Sequence, residues 1–253
     1  MDKLTDKQFR AFCELVYREA GINLTSEKRE LLNARLAKRL RVMDNMSAGD
    51  YLDTIQRDSD ELLRFLDAIS TNHTFFFRES KSFSYLNSEM PNIWCAASSS
   101  GEEPYSLATF CLEQGFTPSI FATDISQTCL DKGRRAIYPR QAAANIPRNM
   151  LKAFFQKGRG QWEDYIRVKD SVRRLVHFDR FNLLKDAPPS HLYDIIFCRN
   201  VMIYFDNPTK ETVVAKLCRA LRTGGYFIIG GAESLSGLNH PLKYIEPSVY
   251  EKK

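Results

Sequence analysis

The sequence predicts a doubly wound, mostly parallel α/β sheet with a small all-helical domain before it and a small antiparallel β insert within it. Three observations carry this. Residues 5–70 repeat apolar side chains with the 3.6 period of amphipathic helices. After residue 90 short apolar runs alternate with helical segments, the cadence of parallel βαβ units. Finally, the unusual polar residues gather at the carboxyl ends of those runs, where open α/β sheets bind ligands.

The elements follow in order. Thr5 and Gln8 have capping-box spacing, with Phe9, Phe12, Cys13 and Val16 on one face and Gly21 as the stop. A second helix, about 26–43, carries Leu32, Leu36, Leu40 and Met43 on one stripe. At ~100° per residue Lys28, Arg35 and Arg39 fall within about 40° of one another beside it. Two more amphipathic segments start near Ser47 and Ser59. The expected domains are thus 1–70, helical, and 71–253, built on the sheet. In the latter, "NIWCAAS", "PSIFATDIS", "YDIIF" and "YFIIGGAES" read as strands, and "EEPYSLATFCLEQG", "QTCLDKGRRAIY" and "NPTKETVVAKLCRALRTGG" as helices. Residues 140–178 break the cadence with a Gly158-Arg159-Gly160 turn and alternating stretches, which predicts the antiparallel insert.

Composition narrows the function classes. The 253 residues are 43% hydrophobic and 26% charged, ordinary for a globular chain. No run approaches the ~20 apolar residues of a membrane span, and "MDKLTDKQFR" is not a secretory signal. Six scattered cysteines without a CxxC pair and four isolated histidines predict a cytoplasmic protein without a metal site. The net charge of +5 is too mild to announce nucleic acid.

The stretch "IWCAASSSGEEPYSLA" at 93–108 has the strand–turn–helix shape of a nucleotide-cofactor elbow. It lacks GxGxxG, and Glu102 and Glu103 follow its single Gly101. Two acids there repel phosphate by roughly 1–4 kcal/mol per close pair. A cationic cofactor without phosphate, S-adenosylmethionine (SAM), reverses that sign. Asp124 ends the next strand, where an acid holds ribose hydroxyls in this fold class. The bland alternative is that both glutamates only complement the helix dipole.

"TNHTFFFRES" at 71–80, the elbow, "FATDIS", "FCRNVMIYF" at 197–205 and "GGYFIIGGAESLSG" at 224–237 together resemble the CheR family of chemotaxis-receptor methyltransferases. The resemblance spans essentially the whole chain. It implies a Rossmann-like class I SAM-dependent fold and transfer of a methyl group from SAM to glutamate carboxylates of methyl-accepting receptors, releasing S-adenosylhomocysteine. It places cofactor contacts on Asn72, Thr74, Arg78, Ala96, Glu102, Asp124, Asn182, Leu183, Arg199 and Asn200, with Glu102 facing the cationic methionine part. Arg78 and Tyr204 fall nearest the transferred methyl. Structural alternatives remain for both: an ion pair for Arg78, core packing for Tyr204. The chain departs from the family at Ala97-Ser98, where Gly-Cys is frequent, at Gly231-Ala232, where His-Ser is common, and in a short segment between Phe83 and Ile93.

The implied partner is the acidic, helical cytoplasmic domain of the receptors. The stripe of Lys28, Arg35 and Arg39 is its expected electrostatic complement, with a solvated helix face as the alternative. In some relatives the insert binds a receptor C-terminal peptide. Here Gly158 and Gly160 mark that site, beside a strand over 162–168 whose edge is expected to stay open. Two other functions compete: a SAM-binding scaffold without catalysis, and a nucleic-acid methyltransferase, whose (D/N)PP(Y/F) motif is absent.

Overall fold

The computed structural model describes residues 4–253; the first three residues of the expected helical domain and polar N-terminus lie outside the described residues. Helix α1 (Asp6–Ala20) begins with the reciprocal Thr5–Gln8 capping box and ends at Gly21 with φ 72°. Helices α2 (Arg29–Val42), α3 (Ala48–Arg57) and α4 (Ser59–Ile69) complete the helical part. Ser47 and Asp58 cap α3 and α4 through their side chains, each satisfying amides that the first turn leaves unpaired. Phe12, Tyr51 and Phe65 meet in its core, with ring centroids 5.6 Å apart for Phe12–Phe65 and 5.9 Å for Tyr51–Phe65. Leu32, Leu36 and Leu40 of α2 close around them, the stripe that the period predicts.

The rest alternates strand and helix: β1 (Asn92–Ala96), α5 (Glu102–Glu113), β2 (Ser119–Asp124), α6 (Gln127–Arg135), then an insert with β3 (Ile137–Pro139), α7 (Arg148–Phe154), β4 (Phe155–Lys157), β5 (Tyr165–Val168) and α8 (Asp170–Arg173). Ile137 and Tyr138, expected to end a helix, instead open the insert ahead of residue 140, because they pair with β5. The chain returns through β6 (Val176–Arg180), β7 (Tyr193–Phe197), α9 (Asn207–Arg219) and β8 (Leu221–Ile228), and closes with β9 (Leu242–Glu246) and β10 (Val249–Lys252). The main sheet runs β6-β2-β1-β7-β8-β10-β9. Its first five strands are parallel, and β10 is antiparallel to both neighbours. The order reverses between β1 and β7, so the ligand crevice belongs above their carboxyl ends. Ile93, Cys95, Ile195 and Phe197 pack one face, Trp94, Ala96 and Ile196 the other, and all are buried. Burial on both faces is why these strands read as continuous apolar runs. Among the described residues no helix is long and apolar enough to cross a membrane.

Two expectations about the insert are corrected. It does not extend to 178: Val176–Arg180 is the edge strand of the main sheet, in parallel register with β2 from Ile120↔Val176 to Asp124↔Arg180. An edge strand is half-buried, and its alternating exposure mimics that of an antiparallel hairpin. Nor does the strand after Trp162 have an open edge. β5 is central in the order β3-β5-β4, with Ile166 and Val168 inward and Tyr165 and Arg167 outward. The edges belong to β3 and β4.

Candidate functional site

A cleft opens at the switch point, and the helical part forms one of its walls through Ile22, Leu24, Lys28 and Leu31. Asn182 donates to the carbonyl of Glu19 at 2.7 Å, the amide of Asn23 donates to the carbonyl of Tyr204 at 2.8 Å, and Tyr17 donates to Asp206 at 2.8 Å. Asp67 at the end of α4 accepts from the hydroxyls of Ser126 and Thr128 at the start of α6. The helices are thereby fastened on both sides of the crevice.

The elbow explains why its sequence lacks GxGxxG. The amides of Ala97 and Ser98 both donate to the Thr123 carbonyl at 2.8 Å, and Gly101 donates to Ser98. The amide of Ser99 donates to Asp124 Oδ2 at 2.7 Å. These four donors are spent within the protein and are not free to cradle a pyrophosphate. Gly101 sits at φ 95°, and an added Cβ would lie 2.9 Å from Tyr138 Oη and 3.0 Å from Phe178, so only glycine fits. Ala97 at φ 75° and Ser99 at φ 50° hold left-handed backbone while carrying side chains.

Asp124 is buried at the end of β2 and also accepts from the Ser126 amide at 2.9 Å. Burial pushes its carboxyl above the usual range, and the Ser126 and Ser99 amides oppose that push. Arg199, at the end of β7 and 5% exposed, donates to Glu103 at 2.8 Å, to Glu79 at 3.1 Å and to the Arg78 carbonyl at 2.6 Å. Burial works against its charge, yet the Glu103 and Glu79 carboxylates hold it more firmly protonated. Burial raises the Glu103 carboxyl, with Arg199 pulling the other way.

The cleft brings together eight of the ten expected cofactor residues: Asn72, Thr74, Arg78, Asp124, Asn182, Leu183, Arg199 and Asn200. Tyr204 joins them, with the Lys28 ammonium 5.0 Å from its ring centroid. Arg78 uses one N–H on the His73 carbonyl at 2.8 Å and lies 3.7 Å from Glu79. Ala96 is buried within β1 opposite Thr123, and its neighbour Ala97 lines the cleft instead. The placement of Glu102 is also corrected. Its carboxylate accepts from Ser100 Oγ at 2.7 Å and lies 3.9 Å from Lys132, away from the cleft, and Glu103 is the acid that lines it. Adjacent residues on a helix point about 100° apart, so only one of the two can face the crevice.

The basic stripe is not free. Arg35 donates to the carbonyls of Ala68, Ile69 and Ser70, closing the end of α4. Arg39 grips Glu61 at 2.7 and 3.0 Å, and Glu61, 1% exposed, also accepts from Tyr51 at 2.7 Å. Lys28 alone of the three lines the cleft, from a 3-10 turn ahead of α2. Around the insert turn, a Cβ at Gly158 would lie 1.8 Å from the Trp162 carbonyl oxygen, whereas Gly160, at φ 58°, has open space.

The description "CheR methyltransferase, SAM binding domain" matches residues 72–250, and "CheR methyltransferase, all-alpha domain" matches residues 7–70. This chain belongs to the CheR methyltransferase family. The chain is 34% identical to a chemotaxis protein methyltransferase of Borreliella burgdorferi, over 98% of this chain and 95% of that one. It is 36% identical to chemotaxis protein methyltransferase 2 of Pseudomonas aeruginosa, over 97% and 93%, and 35% identical to the Escherichia coli relative, over 98% and 91%.

SAM is the cofactor of this CheR chain. The cleft fits it, since Asp124 and Glu103 suit a cation and four of the elbow amides are spent within the protein. Residues that the sequence reading missed are Glu103, Ser99 and, in the helical wall, Ile22, Leu24 and Leu31. Of these, only Glu103 had a visible signal, its adjacency to Glu102 in a helix whose phase was undetermined.

Proposed function

We propose that this protein is a cytoplasmic protein-glutamate O-methyltransferase acting on the cytoplasmic domains of chemotaxis receptors. The observation that carries the reading is the shared cleft of Asp124, Glu103, Arg78 and Tyr204. The names of the relatives support its assignment to chemotaxis. When bound, SAM supplies a methyl group on a sulfonium, already activated for transfer. Asp124 receives ribose hydroxyls, and Glu103, held by Arg199, faces the cationic methionine part. Asn72, Thr74, Leu183 and Asn200 complete the enclosure.

A guanidinium has five donors, and among the described residues Arg78 spends one, so it can hold the substrate carboxylate in a fork. The glutamate is ionised at neutral pH, with a pKa of about 4.3, and needs no general base. Catalysis then comes from alignment, worth on the order of 7–11 kcal/mol when the reacting atoms are held in line. Tyr204 orients the carboxylate through its hydroxyl, and Lys28 above its ring adds positive charge facing an acidic receptor helix.

The insert docks a receptor C-terminal peptide. Among the described residues strand β4 pairs only with β5, so its other edge can accept a strand, while the exposed pair Trp162 and Tyr165, with ring centroids 5.5 Å apart, offers aromatic surface near it. Such a tether raises the effective receptor concentration.

The test of the reaction is turnover in Arg78→Ala and Tyr204→Phe beside S-adenosylhomocysteine affinity. Arg78→Ala is expected to lose methyl transfer by at least about 100-fold through lost positioning while remaining folded. Unchanged turnover would remove Arg78 from the active site.

A further inference from the structure

The turn after β8 holds a carboxylate to which the cofactor reading gives no role. Glu233 accepts four backbone N–H groups from two separate segments: Asn200 at 2.9 Å, Met202 at 2.7 Å, Ile203 at 3.2 Å and Gly230 at 2.7 Å. Three of these donors lie in the loop that follows β7, between Arg199 and Tyr204. Met202 and Ile203 open a 3-10 turn that includes Tyr204, and their amides have no partner within that turn. Asn200 stands at φ 56°, a left-handed conformation that costs a residue with a side chain and persists only where its surroundings enforce it.

A second observation points to the same contact. A Cβ at Gly230 would lie 2.4 Å from Asn200 Nδ2, 2.9 Å from the Asn200 amide and 2.9 Å from Glu233 Oε2. The Gly230–Glu233 turn and the Asn200 loop are thus pressed together with no room for a methyl group. The turn is itself anchored from behind, because Ile229 donates to the Ser248 carbonyl at 2.9 Å and Ser248 Oγ donates to Gly230 at 3.2 Å. Glu79 ties in the other side, accepting from Gly231 at 2.8 Å and from Asn200 Nδ2 at 3.4 Å.

We infer that Glu233 is a positioning residue of the cofactor site: by gathering the amides of Asn200, Met202 and Ile203 it fixes the backbone from which Asn200 meets the bound cofactor. A carboxylate suits this position because it only accepts, with lone pairs for all four donors. Glutamine in its place keeps the shape but turns an NH2 toward amides that already donate. The inference rests on the reading of Asn200 as a cofactor contact and is independent of the identity of the methylated substrate.

The experiment is calorimetric titration of S-adenosylhomocysteine into the wild-type protein, Glu233→Gln, Gly230→Ala, Asn200→Ala and the Glu233→Gln/Asn200→Ala double variant. Hydrogen exchange is followed over 199–204 and over α9. Glu233→Gln is expected to weaken binding by about tenfold or more, as loss of a supporting partner does. Exchange should rise in 200–203 and stay unchanged in α9, which a general loss of stability would not produce. Gly230→Ala should reproduce both changes from the other side of the contact, so the test does not hang on one variant folding. The double variant should bind no worse than Asn200→Ala, because both act through one residue. Affinity within twofold of wild type in Glu233→Gln, or additive losses in the double variant, would overturn the inference. Unchanged binding in Asn200→Ala would instead overturn the cofactor role of Asn200, and the inference with it.

Discussion

Ala97 carries a Cβ at φ 75° in the tightest part of the elbow. Left-handed backbone costs such a residue about 1–2 kcal/mol, of which glycine's extra entropy in the unfolded chain returns part. Ala97→Gly is therefore expected to stabilise the protein by about 0.5–1 kcal/mol, read as a higher urea midpoint at unchanged slope. Asp124 makes a prediction with a sign. Burial raises its folded-state carboxyl above the unfolded one, with the Ser126 and Ser99 amides opposing. This group's contribution to the stability of the free protein is therefore full below the unfolded value and is lost as pH rises through the folded one. In the proposed site ribose hydroxyls donate to the ionised form, so SAM affinity is expected to run the other way and increase with pH across that window. Calorimetry from the ordinary carboxylate range up to neutrality should show this rise in the wild type and a smaller one in Asp124→Asn, where Glu103, whose carboxyl burial also raises, carries the remainder. A flat wild-type profile would contradict the proposed role of Asp124.

At the scale of elements, α2 separates what periodicity reveals from what it hides. Its apolar stripe was legible because burial of Leu32, Leu36 and Leu40 imposes the 3.6 period. The fate of its arginines was not, since only tertiary partners distant in sequence, Glu61 and the end of α4, distinguish a solvated cation from a buried clamp. Arg39→Ala leaves the 1%-exposed Glu61 without its main partner and should cost about 3 kcal/mol or more in chemical unfolding. The exposed Lys38 on the same helix should tolerate Lys38→Ala within about 0.5 kcal/mol. The insert turn divides similarly. Gly158→Ala drives a Cβ into the Trp162 carbonyl oxygen and should disrupt the turn and the proposed peptide binding together. Gly160→Ala meets open space and should cost only about 1 kcal/mol of backbone strain. Titration of receptor C-terminal peptides into the two variants separates them, and equal effects would contradict the steric account.

For the whole molecule, the strand–helix cadence, the capping box and the position of the crevice were readable because each follows from local pattern and from the chain order of the strands. The central place of β5, the transfer of Val176–Arg180 to the main sheet, and the choice of Glu103 over Glu102 were not. Each depends on which distant segment lies alongside, and single-strand alternation is the same in either arrangement. The helical part is a wall of the proposed cofactor cleft and is fastened to the sheet part through Asp67, Glu19 and Asn23. On the proposed reading, binding and methyl transfer therefore need the helical and sheet parts together. The most direct measurement of the central claim uses the full chain, methyl-labelled SAM and purified receptor cytoplasmic domains, followed by mild base. Transfer to glutamate carboxylates predicts label on the receptor that base releases as volatile methanol, and that Arg78→Ala does not deposit. Label that resists base, or a receptor left unlabelled while the protein binds SAM, would contradict it.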